Sequence, residues 1–222
     1  LINDFFKLLF LGDLLLPLSA IIGSLLIIIM LYVLTKGFDH EGITYILLIG
    51  IAINALASVG IGILTYISTD NQLRGLTFWM MGSFGSATWK LVIPAILFIF
   101  FSLCFLIPHS RKLDIIQLGE IEASRLGINV KKLKFNVIVS CSIMIGASVS
   151  ISGMIGFIGL VVPHLVRLMG GVNHNYLLIG SSLLGGGLMV IADLFSRIML
   201  KPAELPVGLV TSAIGSPFFL WL

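Results

Sequence analysis

Residues 135–166 read FNVIVSCSIMIGASVSISGMIGFIGLVVPHLV, a run of 32 positions without Asp, Glu, Lys or Arg. A helix crosses the hydrocarbon core of a bilayer with about 20 apolar residues, within a range of about 17–25. The run is therefore long for one span and short for two. Ser148, Ser150, Ser152, Gly153 and Gly156 crowd its middle, and Pro163 follows. Glycine and proline mark breaks, so the spacing predicts a helix to about 155, a tight turn, and a short second helix over about 157–169. Ser142, Gly146 and Ser150 recur every fourth residue, the pattern that lets two membrane helices approach closely.

The rest of the chain divides in the same way. The stretches 14–35, 42–69, 91–110, 168–192 and 205–222 are also free of Asp, Glu, Lys and Arg, and each supplies one span. The stretch 75–89 is shorter, carries Gly75, Gly82 and Gly85, and holds Trp79 and Trp89, which suit a membrane interface. It reads as part of an interfacial loop or short helix over 70–90. Composition agrees: 58% of the 222 residues are hydrophobic, 10% are charged, and mean hydropathy is +1.15. A soluble domain carries about 25% charged residues, and 10% cannot cover a water-facing surface. The continuous apolar runs predict an all-α, polytopic membrane helix bundle, not a barrel of alternating strands. Residues 1–222 read as a single transmembrane domain. The chain starts at Leu1 without Met and ends inside an apolar run, which reads as a piece of a longer protein.

Six of the thirteen Lys and Arg residues lie in the loop 109–134: Arg111, Lys112, Arg125, Lys131, Lys132 and Lys134. The excess of positive charge in cytoplasmic loops makes this loop cytosolic. Splitting 135–166 divides the Lys and Arg residues 8 inside to 5 outside, and leaving it whole divides them 9 to 4. The net charge of +3 is of this topological kind and implies no nucleic-acid partner. Within the loop, Asp114 with Gln117 has the spacing of a capping box. Gly119 interrupts, Glu120 to Leu126 forms a second short helix, and Gly127 fits its terminating position. Glu122 and Arg125 are placed to pair at i,i+3, as are Asp193 and Arg197 at i,i+4. Two short helices carrying both apolar and charged groups suit a docking surface.

No phosphate-cradling glycine loop, no nucleophile-base set and no metal-ligand spacing is present. His40, His109, His164 and His174 are scattered and read as loop or helix-end residues. Cys104 and Cys141 lie inside apolar runs and read as buried thiols. The expectation is a chain without catalytic residues, metal or cofactor of its own. The span interiors hold almost no ionisable groups, which counts against an ion-coupled carrier, and the docking-type loop counts against a purely structural scaffold.

Leu118-Gly119-Glu120 followed by Ala123, Arg125, Leu126 and Gly127 resembles the cytosolic coupling segment of the FecCD family, the permeases of type II ABC importers. The resemblance continues through Gly153 to His164 and Arg167, resumes at Ala192, Asp193 and Arg197, and closes with Glu204 to Gly208, Thr211, Gly215 and Pro217 to Phe219. It covers roughly 118–222, with a looser fit of 14–110 through Leu47 to Asn54. It implies ten transmembrane helices in the whole subunit, about seven of them here. It also implies a second permease subunit, most simply in a homodimer, a cytosolic ATPase dimer that binds ATP and Mg, and an extracytoplasmic substrate-binding protein, in a bacterial or archaeal cytoplasmic membrane.

By the same resemblance, Leu118, Gly119, Glu120, Arg125, Leu126 and Gly127 are ATPase-coupling residues, and Arg197 docks the binding protein. Helix 42–69 lines the central pathway with Asn54, Ser58 and Thr65 as its polar candidates, and residues 36–41 form the cytosolic gate. An iron-siderophore is the leading substrate expectation, with haem, vitamin B12 or an oxyanion as alternatives. A haem pathway would be expected to carry an axial-type side chain, and 42–69 offers only Tyr45 and Tyr66 near its ends.

Overall fold

The computed structural model describes residues 15–34, 43–85, 87–171, 173–199 and 205–221. The expected gate loop 36–41 and Glu204 lie outside them. Every regular element among the described residues is helical. In chain order these are α1 (Leu15–Leu34), α2 (Ile43–Tyr66), α3 (Asp70–Met81), α4 (Trp89–Leu106), a 3-10 turn (Ile107–His109), α5 (Ser110–Ile116), α6 (Glu120–Arg125), α7 (Val130–Ser152), α8 (Ile158–Gly170), α9 (His174–Ile198) and α10 (Val207–Trp221). Five are long and apolar enough to cross a membrane: α1, α2, α4 with its continuation, α7 and α9. The apolar α8 and α10 are shorter. These seven helices fall on the apolar segments read from the sequence, five of them with the length of a span, and the chain is a multi-pass membrane protein.

Helix α7 is the centre of the first group. It packs along α1 on one side and α4 on the other. Lipid tails are as apolar as leucine, so membrane helices gain by close approach more than by burial. The Ser142, Gly146, Ser150 row supplies that approach. A Cβ on Gly146 would lie 2.7 Å from the Cα of Ile21, and the Ser24 hydroxyl donates across the seam to the carbonyl of Ser142 at 2.9 Å. Ile21, Ala95 and Ala147 form the buried core between the three helices. A second group sets α8 and α10 against α9, with Val162, Val166 and Leu177 buried together. Helix α2 touches α1 and otherwise exposes nearly its whole surface.

The break inside 135–166 falls at Gly153. Its φ of 67° ends α7, and Phe157 opens α8 at φ 66°, the one non-glycine residue with positive φ among those described. The chain reverses here against two other reversals. Ser83 N–H donates to the Ser152 carbonyl (2.8 Å), Met154 N–H to that of Trp79 (3.4 Å), and Gly208 N–H to that of Gly82 (3.3 Å). The predicted interfacial segment 70–90 is thus a short helix followed by a loop, and the loop is tied by main-chain bonds to the ends of α7 and α10.

Two expectations are corrected. Asp114 and Gln117 form no capping box: α5 begins at Ser110, Asp114 lies within it and Gln117 follows its end. Box-like spacing is realised instead at α3, where Gln72 Oε1 accepts from the Thr69 N–H at 3.0 Å. His164 is not a helix-end residue either. It sits inside α8, its ring edge-on to Phe218 at 5.9 Å between centroids.

Candidate docking segment at the basic end

The segment 107–129 joins α4 to α7 and carries the two short helices. Gly119, at φ 110°, turns the chain into α6. Helix α6 then closes as a Schellman motif: Ile128 N–H donates to the Ala123 carbonyl and Gly127 N–H to that of Ser124, both at 3.0 Å. Gly127 takes the left-handed position such a cap requires (φ 82°). One face of α6 is anchored by Ala123, fully buried. The other groups point outward. Leu118, Ile121 and Leu126 are 69%, 67% and 64% exposed, beside the Arg125–Glu122 pair at 2.8 Å. Apolar side chains held out on and beside an ordered six-residue helix form a patch of the kind that marks a protein contact.

Two polar tethers bind this segment to the spans. Lys134 Nζ on α7 lies 2.6 Å from Glu120 Oε1 on α6. Asp114 on α5 reaches the start of α9, where its Oδ1 accepts from the His174 main-chain N–H at 2.8 Å and from the same residue's imidazole Nδ1 at 2.7 Å. The Gln117 amide nitrogen stands 3.0 Å from that Nδ1. Asn173 Oδ1 takes the next two amides, Asn175 at 2.9 Å and Tyr176 at 3.4 Å. Three of the first helical amides of α9, orphaned in any helix, are thus satisfied, one of them by a residue 60 positions away. The main-chain bond from His174, with help from its imidazole, holds the Asp114 carboxyl below the ordinary aspartate range.

Sequence reasoning missed His174 and Lys134 as partners. Asn173 just before a long apolar run was the available signal for a helix start, but nothing local says that Asp114 shares the work.

The other predicted residues are separate from this segment. Asn54, Ser58 and Thr65 fall within one narrow face of α2 by helical spacing. The Ser58 hydroxyl donates to the Asn54 carbonyl at 2.9 Å. Arg197 lies near the opposite end of α9, its Nε 2.8 Å from Asp193 Oδ2, with about half of its side chain exposed. Cys104 and Cys141 are free thiols, Cys104 exposed and Cys141 half-buried, so neither is buried as expected. Among the described residues no three His, Cys, Asp or Glu side chains come together in a metal-binding group.

Fold and segment together define the class: a multi-pass helical membrane protein with an ordered two-helix segment at its basic end. The sequence matches the model of the FecCD transport family over residues 4–222, and the chain belongs to that family. It is 46% identical over 204 residues to the hemin transport system permease protein HmuU of Yersinia pestis, covering 92% of this chain and 61% of that one. It is 38% identical over 211 residues to the vitamin B12 import system permease protein BtuC of Vibrio parahaemolyticus, with the same coverage. Among solved structures it resembles an inward-facing conformation of a metal-chelate type ABC transporter, with TM-score 0.78 and 31% identity over 90% of this chain and 70% of that one. The chain thus spans 61% of the length of these curated relatives. They are permeases by name, not enzymes, in line with the lack of a catalytic motif.

Proposed function

We propose that the chain is part of the permease subunit of an ATP-driven importer in a prokaryotic cytoplasmic membrane, and that it passes a metal chelate inward by alternating access. The observation that carries this reading is the exposed Leu118, Ile121 and Leu126 patch on a segment tethered to two spans. It is a surface to be gripped, joined to helices that can be moved. The partners in this reading are a second permease subunit, an ATPase dimer holding ATP and Mg, and an external binding protein. Leu118, Gly119, Glu120, Arg125, Leu126 and Gly127 meet the ATPase. Arg197 meets the binding protein.

The coupling follows from the tethers. A partner that binds the segment more tightly in one position shifts the permease toward that position by its differential affinity alone. The Glu120–Lys134 contact passes the displacement to α7, and the Asp114–His174 contact passes it to α9. Asn54, Ser58 and Thr65 are the polar groups that a cargo would meet on α2. They are neutral and sparse, which suits release more than capture.

For the cargo, haem ranks above vitamin B12, with a siderophore or an oxyanion as alternatives. The support is the greater identity to the hemin permease than to the vitamin B12 permeases. The lack of an axial ligand inside α2 is no obstacle, because a pathway that ligated the iron would hold its cargo.

The test is ATP-dependent uptake by the assembled importer in proteoliposomes, with haem, cyanocobalamin and a ferric siderophore compared. ATPase co-purification is followed in Glu120→Ala/Arg125→Ala, and binding-protein affinity in Arg197→Ala. The reading expects haem uptake, loss of ATPase from the double variant and weakened binding protein in the last. If no ATPase accompanies the wild type, the importer reading is wrong. Uptake of cyanocobalamin or the siderophore instead of haem overturns only the choice of cargo.

A further inference from the structure

A cavity of about 600 Å³ opens at the basic end, between the end of α4 with the turn that follows it and the start of α7. Its apolar wall includes Phe105 and the buried Leu133. Its polar wall includes His109, Asn136, Lys112 and Lys132. His109 Nδ1 donates to the Phe105 carbonyl at 2.9 Å, which leaves Nε2 to face the Asn136 amide at 3.5 Å. Neither lysine ammonium is matched with a carboxylate among the described residues. The start of α7 adds the partial positive charge of a helix N-terminus.

We propose that this cavity is a site for the headgroup phosphate of an anionic phospholipid. The placement argues for lipid. Phe105 lies near the end of α4, and Lys132 lies in the first turn of α7. The cavity therefore straddles the depth at which acyl chains give way to headgroups. Basic pockets between transmembrane helices at the cytoplasmic face bind acidic headgroups, and the volume lies within the usual range of ligand sites, about 300–1,000 Å³. An apolar wall beside two ammonium groups matches a molecule that is greasy at one end and anionic at the other. The inference requires the cytosolic placement of the 109–134 loop but not the identity of the cargo.

The experiment is native mass spectrometry of the intact permease, released from nanodiscs that contain phosphatidylglycerol and phosphatidylcholine. Wild type, Lys112→Gln/Lys132→Gln and the charge-matched control Arg111→Gln/Lys131→Gln are compared after circular dichroism shows equal helix content. Retention of phosphatidylglycerol is expected to fall about fivefold for each cavity lysine removed, while the control changes less than about twofold. Equal losses in the two variants would reduce the site to general surface charge and overturn it. So would equal retention of phosphatidylcholine. Displacement of the bound lipid by millimolar glycerol 3-phosphate would assign the cavity to a soluble phosphate instead. Unchanged lipid retention with loss of ATPase from Lys112→Gln/Lys132→Gln would assign it to a protein contact.

Discussion

At the end of the bundle away from the basic loop, a methyl group on Gly153 would fall on the Trp79 carbonyl oxygen, and one on Gly208 on that of Met81. At the basic end, a methyl group on Gly119 or Gly127 would meet nothing within 4 Å. The same residue type thus answers two demands. In the first region glycine is needed for space, because three chain reversals cross main chain to main chain. In the second it is needed only for φ, because each short helix has to turn where there is room on every side. The first region is closed by main-chain contact, and the second leaves its turning glycines in open space.

Substitutions sharpen this contrast, the largest effect first. Gly153→Ala combines overpacking, about 1–3 kcal/mol, with a left-handed backbone cost of about 1–2 kcal/mol. It is expected to lower the melting temperature in detergent more than any change at the basic end; equal melting of Gly153→Ala and Gly127→Ala would break the contrast. Gly146→Val pushes α1 off α7 at a cost of about 1–3 kcal/mol, read as faster proteolysis within α1, whereas Gly159→Val, with open space around it, serves as the silent control. Asp114→Ala removes a cap worth about 0.5–2 kcal/mol and should raise the exchange rate of the His174 amide without moving the global melting point.

The pH arm of that experiment has a definite sign. The Asp114 carboxyl is held below its ordinary range, so its contribution is present above the unfolded value and is lost as pH falls through the folded one. Protection at His174 should persist at neutral pH and fade only on strong acidification. Gly127→Ala should cost about 1–2 kcal/mol locally, and Gly127→Asn less, since asparagine tolerates this region. The smallest effect belongs to the exposed Glu120–Lys134 pair, about 0.2–1 kcal/mol in a double-mutant cycle.

Much of this architecture was legible because membrane helices announce themselves by length. The division of 135–166 could be read from Gly153, the close α1–α7 seam from the four-residue spacing of small side chains, and the α6 terminus from Gly127. These features are local, and local sequence carries them. The capping reading of Asp114 failed for the complementary reason. Its spacing from Gln117 fits a box, yet both side chains turn to a helix start nearly sixty residues on, and spacing within a loop carries no information about distant partners. The crossing of the loop after α3 with the ends of α7 and α10 was invisible in the same way. It is made by main-chain groups, which every residue but proline possesses. The Asp193–Arg197 pair, by contrast, was legible from its i,i+4 spacing and is formed, so any external carboxylate would compete with or join it.

The two ends also differ in how they feel dissolved ions. At 0.1 M salt, interactions between exposed charges fade over about 10 Å, and the Glu120–Lys134 contact is exposed enough to weaken as salt rises. The Ser83–Ser152 and Gly208–Gly82 bonds are uncharged and have no such dependence. A rise in electrolyte should therefore slacken the basic end alone, so that the bundle becomes a rod clamped at one end and progressively freed at the other.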